Sequence, residues 1–334
     1  MKIVFFESEV GDEEYLRSCF EGHDVGFVSS PLTKNTVQSA VGASVVSVFV
    51  DSRVDREVLD NLPECKLIAT RSTGFDHIDM EAVKEKNIMV SNVPNYGENT
   101  VAEHTMALIL CLSRKLYQTI DRTERGNYSL EGLRGIDLKD KVLGIYGLGR
   151  IGGYVVKMAY GFGMKIISYA RTPDEELRDK YGVEFVGGID DLLSRSDVLT
   201  LHCPLTDQTH HLINKGNINK IKRGLLIVNT ARGPLIETEA LLQALDEGLV
   251  GGAALDVLEE EKPLKEERFM YQPEFRSKTD LVTLMENHVL VGRDDVVFTA
   301  HNAFNSVEAV RRILDTSIEN VKAFINGQAI NLVS

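Results

Sequence analysis

Residues 141–152 read KVLGIYGLGRIG and largely decide the fold that we predict for this chain. The first six residues have the apolar, β-branched character of a buried strand, and a helix-like stretch follows Gly152. Gly147 permits a tight turn, Gly149 lets the backbone approach a pyrophosphate, and Gly152 lets the helix pack closely on the strand. The helix N-terminus then offers unpaired N–H groups to phosphate. This unit therefore predicts a dinucleotide-binding site.

Short β-branched or aromatic runs alternate with longer amphipathic segments on both sides of this unit, which is typical of βαβ units with a parallel sheet. One long helix is predicted from Asn99 to about Asp121, and another from about Ser306 to Asn326. The charged stretch 259–293 is predicted to be an irregular excursion over the surface or against a partner subunit. The fold class is therefore α/β, with two Rossmann-like, doubly wound parallel-sheet domains. The predicted strands are KIVFF, SVVSVFV, KLIATR, NIMVSN, KVLGIYG, KIISYA, DVLTLH, GLLIVNT, GGAALDV and DVVFTA.

The net charge of the chain argues against two classes of binding partner, nucleic acids and membranes. Fifty acidic against 37 basic side chains among 334 residues give a net charge of −13. Because this field repels phosphate backbones and anionic headgroups, we expect neither nucleic acid nor a membrane as a partner. The N-terminal apolar run stops at Glu7, too early for a signal peptide, so we expect a cytoplasmic protein. The four cysteines lie far apart, without histidines at zinc-finger spacing, and predict neither a disulfide nor a metal site.

The residues at the end of the next predicted strand, KIISYA, indicate which dinucleotide the chain binds. An acidic residue that accepts hydrogen bonds from the adenosine ribose is expected about twenty residues after the glycines. The chain has Ala170, Arg171 and Thr172 there. Ala170 removes a group that would repel a 2′-phosphate, and Arg171 and Thr172 are able to bind one. We therefore expect NAD(P)H as cofactor, with NADP(H) slightly favoured over NAD(H).

Three later segments carry polar groups where strands should end, the edge of an open α/β sheet at which ligands collect. They contain Arg232 in NTARG, a run of three glutamates at 259–261, and His301 in TAHNAF. An arginine fork suits a carboxylate, and a histidine is a proton donor near neutral pH. The sequence thus predicts a site for an anionic substrate that undergoes proton transfer.

Together with the glycine motif, these segments resemble the D-2-hydroxyacid dehydrogenase family across essentially the whole chain, and D-lactate dehydrogenases in particular. The further motifs are RSTGFDHID at 71–79, VPNY at 93–96 and HNAF at 301–304. The resemblance implies a substrate-binding domain, residues 1–99 and 300–334, around an inserted dinucleotide-binding domain, residues 100–299. It also implies an active site between the domains and a homodimer joined through the dinucleotide domain.

The resemblance further implies reduction of a small, pyruvate-like 2-keto acid. His301 is the expected acid/base, and Arg232 binds the substrate carboxylate. Glu261, selected by the family spacing of five residues after Asp256, raises the pKa of the histidine. The implied substrate-binding residues are Thr73, Gly74, Tyr96 and Phe304. The implied cofactor-binding residues, beyond the three glycines and residues 170–172, are Arg150, Ile151, Pro204, Thr209, Thr230, Ala231 and Asp256.

The sequence departs from the family pattern at two positions. Ala300 stands where the family usually has proline, which leaves the turn before His301 less rigid, and position 170 is not acidic. Glyoxylate, hydroxypyruvate and phenylpyruvate remain as alternative substrates. A non-catalytic, redox-sensing co-repressor on the same scaffold is the alternative from another functional class; screening 2-keto acids for turnover distinguishes it from an enzyme.

Overall fold

The computed structural model describes residues 1–261 and 281–333. The described strands are β1 Lys2–Phe6, β2 Asp24–Val28, β3 Val45–Val48, β4 Leu67–Thr70, β5 Met89–Ser91, β6 Val142–Tyr146, β7 Lys165–Tyr169, β8 Glu184–Phe185, β9 Val198–Leu201, β10 Leu225–Asn229, β11 Val250–Leu255 and β12 Val296–Phe298. The described α-helices are α1 Val10–Cys19, α2 Arg56–Asp60, α3 Met80–Glu85, α4 Glu98–Ser113, α5 Leu116–Glu124, α6 Arg150–Gly161, α7 Glu175–Tyr181, α8 Ile189–Arg195, α9 Thr238–Asp246, α10 Leu281–Val291 and α11 Val307–Ile325. Within these residues, no helix has the length and apolar character needed to cross a membrane.

The chain divides into two compact units. The first consists of Met1–Tyr96 with Ser306–Ser334, and the second is Gly97–Asn305. The second unit is thus inserted into the first in chain order. Binding roles for the two units stay predictions, as do the boundaries at residues 99 and 300.

Each unit contains one parallel sheet. In the first unit the strand order is β2-β1-β3-β4-β5, and in the second it is β12-β11-β10-β9-β6-β7-β8. The central strands β3, β4, β9 and β10 are buried along their whole length, as expected for parallel sheets covered on both faces. In the first unit, α11 packs Leu314, Ile318 and Val321 onto one face of the sheet. The predicted α/β class with two Rossmann-like parallel-sheet domains is confirmed.

All ten predicted strands are present, but the sequence pattern missed β2 and β8. Gly26 interrupts the apolar run of β2 and weakens its strand signal. The strand nevertheless forms because its backbone pairs in register with β1. β8 has only two residues, which pair with β7 at the edge of the sheet. Strands β2 and β8 therefore form through pairing with β1 and β7, and their own hydrophobic periodicity does not indicate them.

The prediction of one helix from Asn99 to Asp121 is wrong, because α4 ends at Ser113 and α5 begins at Leu116. Lys115, between them, has a left-handed backbone with φ 51°. The Ser113 carbonyl oxygen accepts the Ile136 N–H at 2.7 Å, a bond from outside the helix. This approach requires glycine at position 135, where a Cβ would lie 2.2 Å from the same oxygen. A tertiary contact therefore ends the helix.

The C-terminal helix agrees with its prediction, whereas the irregular excursion predicted for residues 259–293 is wrong at residues 281–291. Ser306 caps α11 by accepting the Ala309 N–H at 3.1 Å, and Asn326 follows its last residue. Residues 281–291, which were predicted to be irregular, form α10 with Leu284 and Leu290 buried. Residues 262–280 of the predicted excursion lie outside the described residues.

Candidate functional site

The glycine turn after β6 has the geometry that a dinucleotide pyrophosphate needs. Gly147 has φ 97°, and a Cβ there would lie 2.7 Å from the Cys203 nitrogen. At Gly152 a Cβ would lie 2.7 Å from the Gly147 carbonyl oxygen. At Gly149, by contrast, no described atom lies within 4 Å of that position, so the backbone faces open space. Because α6 begins at the next residue, the N–H groups of its first turn lack acceptors within the helix, and the turn therefore has the features of a pyrophosphate site.

The residues predicted to contact the adenosine ribose follow β7. Arg171 and Thr172 are exposed, and Ala170 is half-buried. The next carboxylate along the chain, Asp174, accepts the Leu177 N–H at 3.0 Å and thereby caps α7. Residues 170–172 therefore offer a cation and a hydroxyl.

The loop that carries Arg232 is fixed by the last residue of β10. Asn229 accepts the Ala231 N–H at 3.0 Å and donates its side-chain amide to the Arg232 carbonyl oxygen at 2.8 Å. Thr230 is anchored by a 2.9 Å hydrogen bond between its hydroxyl and that of Thr105 on α4. The Arg232 guanidinium itself donates to the Ala231 carbonyl oxygen at 2.7 Å. Buried Asn229 thus fixes the backbone conformation at Arg232, the residue predicted to bind the substrate carboxylate.

His301 and Glu261 form a direct pair. His301 Nδ1 lies 2.8 Å from Glu261 Oε1, and the two side chains are 25% and 20% exposed. Glu261 also accepts the Leu258 N–H at 3.4 Å through Oε2. The His301 backbone is left-handed, with φ 53°, and its N–H donates to the Asp256 and Thr299 carbonyl oxygens, both at 2.8 Å. These backbone bonds hold the turn although Ala300 stands in place of proline.

Buried Asp256 braces the same turn from within. Its Oδ1 accepts the Asn302 N–H at 2.8 Å and its Oδ2 the Ala303 N–H at 3.0 Å. Burial alone would raise the pKa of Asp256, but the hydrogen bonds from His104, Thr299 and these two backbone groups hold it below its ordinary value. The Asp256 carboxylate therefore stabilises the segment around His301, and the cofactor-binding role predicted for Asp256 stays a prediction.

Arg232, Glu261 and His301 line one open cavity of about 270 Å³ in the second unit. Gly233, Pro234, Val257, Leu258 and Glu260 complete its lining. His301 Nε2 makes no hydrogen bond to any residue within 1–261 or 281–333. The cavity thus brings together a cation, a carboxylate and an imidazole whose second nitrogen remains available for proton transfer.

The predicted substrate loop of the first unit is anchored by a buried arginine. Arg71 donates to the carbonyl oxygens of Phe6 at 2.7 Å and Glu7 at 2.8 Å, and burial lowers its pKa to about 10. Thr73, two residues later, is exposed and held by a 2.7 Å bond from its hydroxyl to the Val93 carbonyl oxygen. Arg71 is part of the RSTGFDHID motif, and no role was predicted for it. Its hydrogen bonds to the Phe6 and Glu7 carbonyl oxygens show that it stabilises the structure of the loop.

The other predicted residues divide between the two units. Gly74 and Tyr96, both half-buried, belong to the first unit with Thr73. Phe304, Pro204 and Thr209 belong to the second, where the Thr209 hydroxyl donates to the Pro204 carbonyl oxygen at 2.7 Å. Arg150 is the first residue of α6 and lies 3.6 Å from Glu98. Ile151 packs against the core beneath α6.

Sequence reasoning missed Glu259, whose carboxylate orients the segment before Glu261. Its Oε2 accepts the Thr238 N–H at 2.9 Å and the Thr238 hydroxyl at 2.7 Å. Its Oε1 lies 2.7 Å from His211 Nε2. In the sequence, three adjacent glutamates are indistinguishable by pattern, and only the tertiary structure separates an anchored Glu259 from a cavity-lining Glu261.

This chain is similar to known dehydrogenases in sequence and in fold. The family model described as D-isomer specific 2-hydroxyacid dehydrogenase, NAD binding domain, matches residues 106–303. The D-lactate dehydrogenase of Escherichia coli (strain K12) is 34% identical over 333 residues, covering 98% of each chain. The D-lactate dehydrogenase of Aquifex aeolicus, solved in complex with NAD and lactic acid, has a TM-score of 0.88 at 33% identity and covers 98% of this chain and 96% of its own. The pyruvate reductase of Chlamydomonas reinhardtii has a TM-score of 0.87 at 35% identity, covering 99% and 98%.

These similarities extend over nearly the full length of both partners. They confirm the family resemblance predicted from the motifs, and they support a nicotinamide dinucleotide as cofactor. The chain belongs to the D-2-hydroxyacid dehydrogenase family of oxidoreductases.

Proposed function

We propose that this protein reduces a small 2-keto acid, with pyruvate or a near analogue as the first choice, to the D-2-hydroxy acid. The observation that carries the proposal is the shared cavity of Arg232, Glu261 and His301, in which the imidazole is already paired with the carboxylate. The relatives named for D-lactate and pyruvate chemistry support the substrate class.

His301 is the proposed acid/base. With Nδ1–H donated to Glu261, the protonated ring carries its second proton on Nε2, and that proton goes to the substrate carbonyl oxygen as the alcohol forms. The ring is then neutral, and Nε2 is able to accept the proton back in the reverse reaction. The Glu261 carboxylate fixes the orientation of the ring and stabilises its protonated form.

Arg232 is the proposed anchor for the substrate carboxylate. A guanidinium presents planar, paired donors that match the two carboxylate oxygens, so it fixes orientation as well as charge. Asn229 binds the Ala231 N–H and the Arg232 carbonyl oxygen, so the backbone that carries the Arg232 side chain is already ordered before the substrate binds.

The dinucleotide, when bound, supplies the hydride. We assign its pyrophosphate to the turn of Gly147, Gly149 and Gly152 and to the first residues of α6, and its remaining contacts to the other residues predicted above. Arg171 and Thr172 are exposed after β7, where the adenosine ribose is expected, and this supports use of NADPH over NADH. Equal or better turnover with NADH would remove this preference and leave the rest of the proposal intact.

Within the first unit, we propose that the backbone N–H groups of Thr73 and Gly74 and the Tyr96 hydroxyl contribute to substrate binding. In the second unit, Phe304 is the proposed border of the side-chain pocket. The anchoring of the Thr73 loop by buried Arg71 supports this assignment, since a binding loop gains from being held in place before the ligand arrives.

We also propose a homodimer formed through the second unit. Helix α5 leaves Leu116, Tyr117 and Ile120 exposed by 43%, 54% and 56%, an apolar surface that a second copy would cover. Light scattering coupled to size-exclusion chromatography measures the mass directly, and a monomer at micromolar concentration would contradict this part of the proposal.

The decisive experiment follows oxidation of NADPH and NADH with pyruvate, glyoxylate, hydroxypyruvate and phenylpyruvate, and determines the chirality of the product. We expect turnover with a D-configured product. An enzyme specific for glyoxylate or hydroxypyruvate would change the substrate but not the chemistry. Tight cofactor binding with no turnover on any of the four acids would refute the proposal and favour a dinucleotide-sensing binding protein.

A further inference from the structure

A second cluster of titratable side chains lies in the second unit, apart from the three proposed catalytic residues. His210, His211 and Glu259 each place one donor atom within 4.8 Å of the others. We propose that these three residues form a binding site for a divalent transition-metal ion of the Zn²⁺, Ni²⁺ and Cu²⁺ class. The sequence showed only two adjacent histidines, because the carboxylate comes from 48 positions further along the chain.

The spacing of His211 and Glu259 is close to that of two neighbouring metal ligands. His211 Nε2 and Glu259 Oε1 are 2.7 Å apart. Metal–nitrogen and metal–oxygen bonds of roughly 2.0–2.2 Å place two ligands about 3.0 Å apart at right angles and about 3.4 Å apart in the tetrahedral geometry of Zn²⁺. The His211–Glu259 pair, 2.7 Å apart, therefore needs to open by about 0.3 to 0.7 Å for an ion to replace the shared proton.

Hydrogen bonds orient both of these ligands before any ion arrives. Both donors of Thr238, its N–H and its hydroxyl, bind Glu259 Oε2, which leaves Oε1 directed at His211. His211 has a left-handed backbone, φ 50°, and its N–H is bound to the Pro234 carbonyl oxygen at 2.8 Å. Partners of this kind orient metal ligands in established sites and strengthen metal binding.

His210 supplies the third ligand and leaves the ion accessible to water. Its ring centroid lies 4.0 Å from that of His211, and the residue is exposed. Two imidazoles and one carboxylate favour Zn²⁺, Ni²⁺ and Cu²⁺ over Mg²⁺, which prefers oxygen ligands. Three protein ligands with an open position are typical of a site that exchanges its ion or adds a further ligand, rather than of a closed structural site.

Isothermal titration of the metal-free, full-length protein with ZnCl₂ tests the proposal. We expect one Zn²⁺ per chain and no binding of Mg²⁺ at the same concentration. His210→Ala should weaken Zn²⁺ binding at least about tenfold, since even the loss of a hydrogen-bonding partner outside the ligands has such an effect. His288→Ala, which removes an exposed histidine of α10, is the matched control and should leave the affinity unchanged.

Glu259→Gln, which keeps the shape of the side chain, is a second variant and should also weaken Zn²⁺ binding. The absence of Zn²⁺ binding would overturn the proposal, and so would an affinity that His210→Ala leaves unchanged. The measured quantity is a binding heat, so the outcome does not depend on whether the proposed reductase activity is found. Circular dichroism verifies that each variant is folded.

Discussion

Gly233→Ala is expected to displace the two segments that carry Arg232 and Glu261. The backbone of Gly233 lies directly against that of Leu258 and Glu259. A Cβ at position 233 would lie 2.0 Å from the Leu258 carbonyl carbon and 2.5 Å from the Glu259 nitrogen. These are backbone atoms, which cannot rotate away as a side chain does.

The size of the effect follows from that distance. Carbon atoms pack best at about 3.5–4.0 Å, so the two segments must separate by roughly 1.5 Å. A misplacement of about 1 Å costs on the order of 10²-fold in turnover, and overpacking costs about 1–3 kcal/mol of stability. We therefore expect kcat/KM to fall by about 10²-fold or more, together with a lower melting temperature.

The assay compares kcat/KM for keto acid reduction, dinucleotide affinity and melting temperature in Gly233→Ala and the parent protein. Dinucleotide affinity should change little, because the glycine turn at 147–152 is a separate segment. Gly161→Ala is the matched control, since no described atom lies within 4 Å of its Cβ position at the end of α6. Parent-like kcat/KM and stability in Gly233→Ala would refute the close backbone approach.

Four further outcomes are expected. His301→Ala should lower kcat by about 10²-fold or more while dinucleotide affinity, measured by fluorescence, is retained; an equal loss of both would argue against an acid/base role. Glu261→Gln should lower kcat for keto acid reduction, because an amide oxygen is a weaker acceptor than a carboxylate for the Nδ1–H that orients the His301 ring; parent-like kcat would remove that role. Arg232→Lys should raise KM for the keto acid and lower kcat, since an ammonium cannot replace a planar fork; parent-like kinetics would exclude paired contacts. Asp256→Asn should cost about 1–3 kcal/mol in urea unfolding at neutral pH. The lowered pKa of Asp256 means that its contribution is present above about pH 4 and is lost as the pH falls further, so the variant should show a shallower acid limb; identical acid limbs would contradict the bracing role.

Local sequence patterns were sufficient for most of the fold. Ten strands could be predicted because buried parallel strands are apolar along their whole length and are bounded by turn residues. The Gly147 turn could be predicted because two of its demands arise within the motif itself: Gly147 has a positive φ, and Gly152 lies against the Gly147 carbonyl oxygen. Ser306 and Asn326 delimit the last helix because capping is also local.

Other features were decided by contacts between distant residues. The break between α4 and α5 depends on Ile136 binding the Ser113 carbonyl oxygen, and nothing in the helical periodicity of residues 99–121 indicates it. Edge strand β8 is defined by pairing with β7 alone. Hydrophobic periodicity reflects only neighbours along the chain, so it indicates neither the break between α4 and α5 nor strand β8.

The proposed site shows the same division. The order of residues along the chain places particular residue types at the strand ends, and this was enough to predict an arginine, a carboxylate and a histidine at one sheet edge. The folded chain was needed to show that Glu261 contacts His301 and that Glu259 instead binds Thr238 and His211. It was also needed to show that buried Asp256 holds the turn at residues 301–303. Side-chain type and strand position are properties of short segments. The direction of each carboxylate instead depends on hydrogen-bond donors 21 to 48 residues away, which meet the carboxylate only after folding.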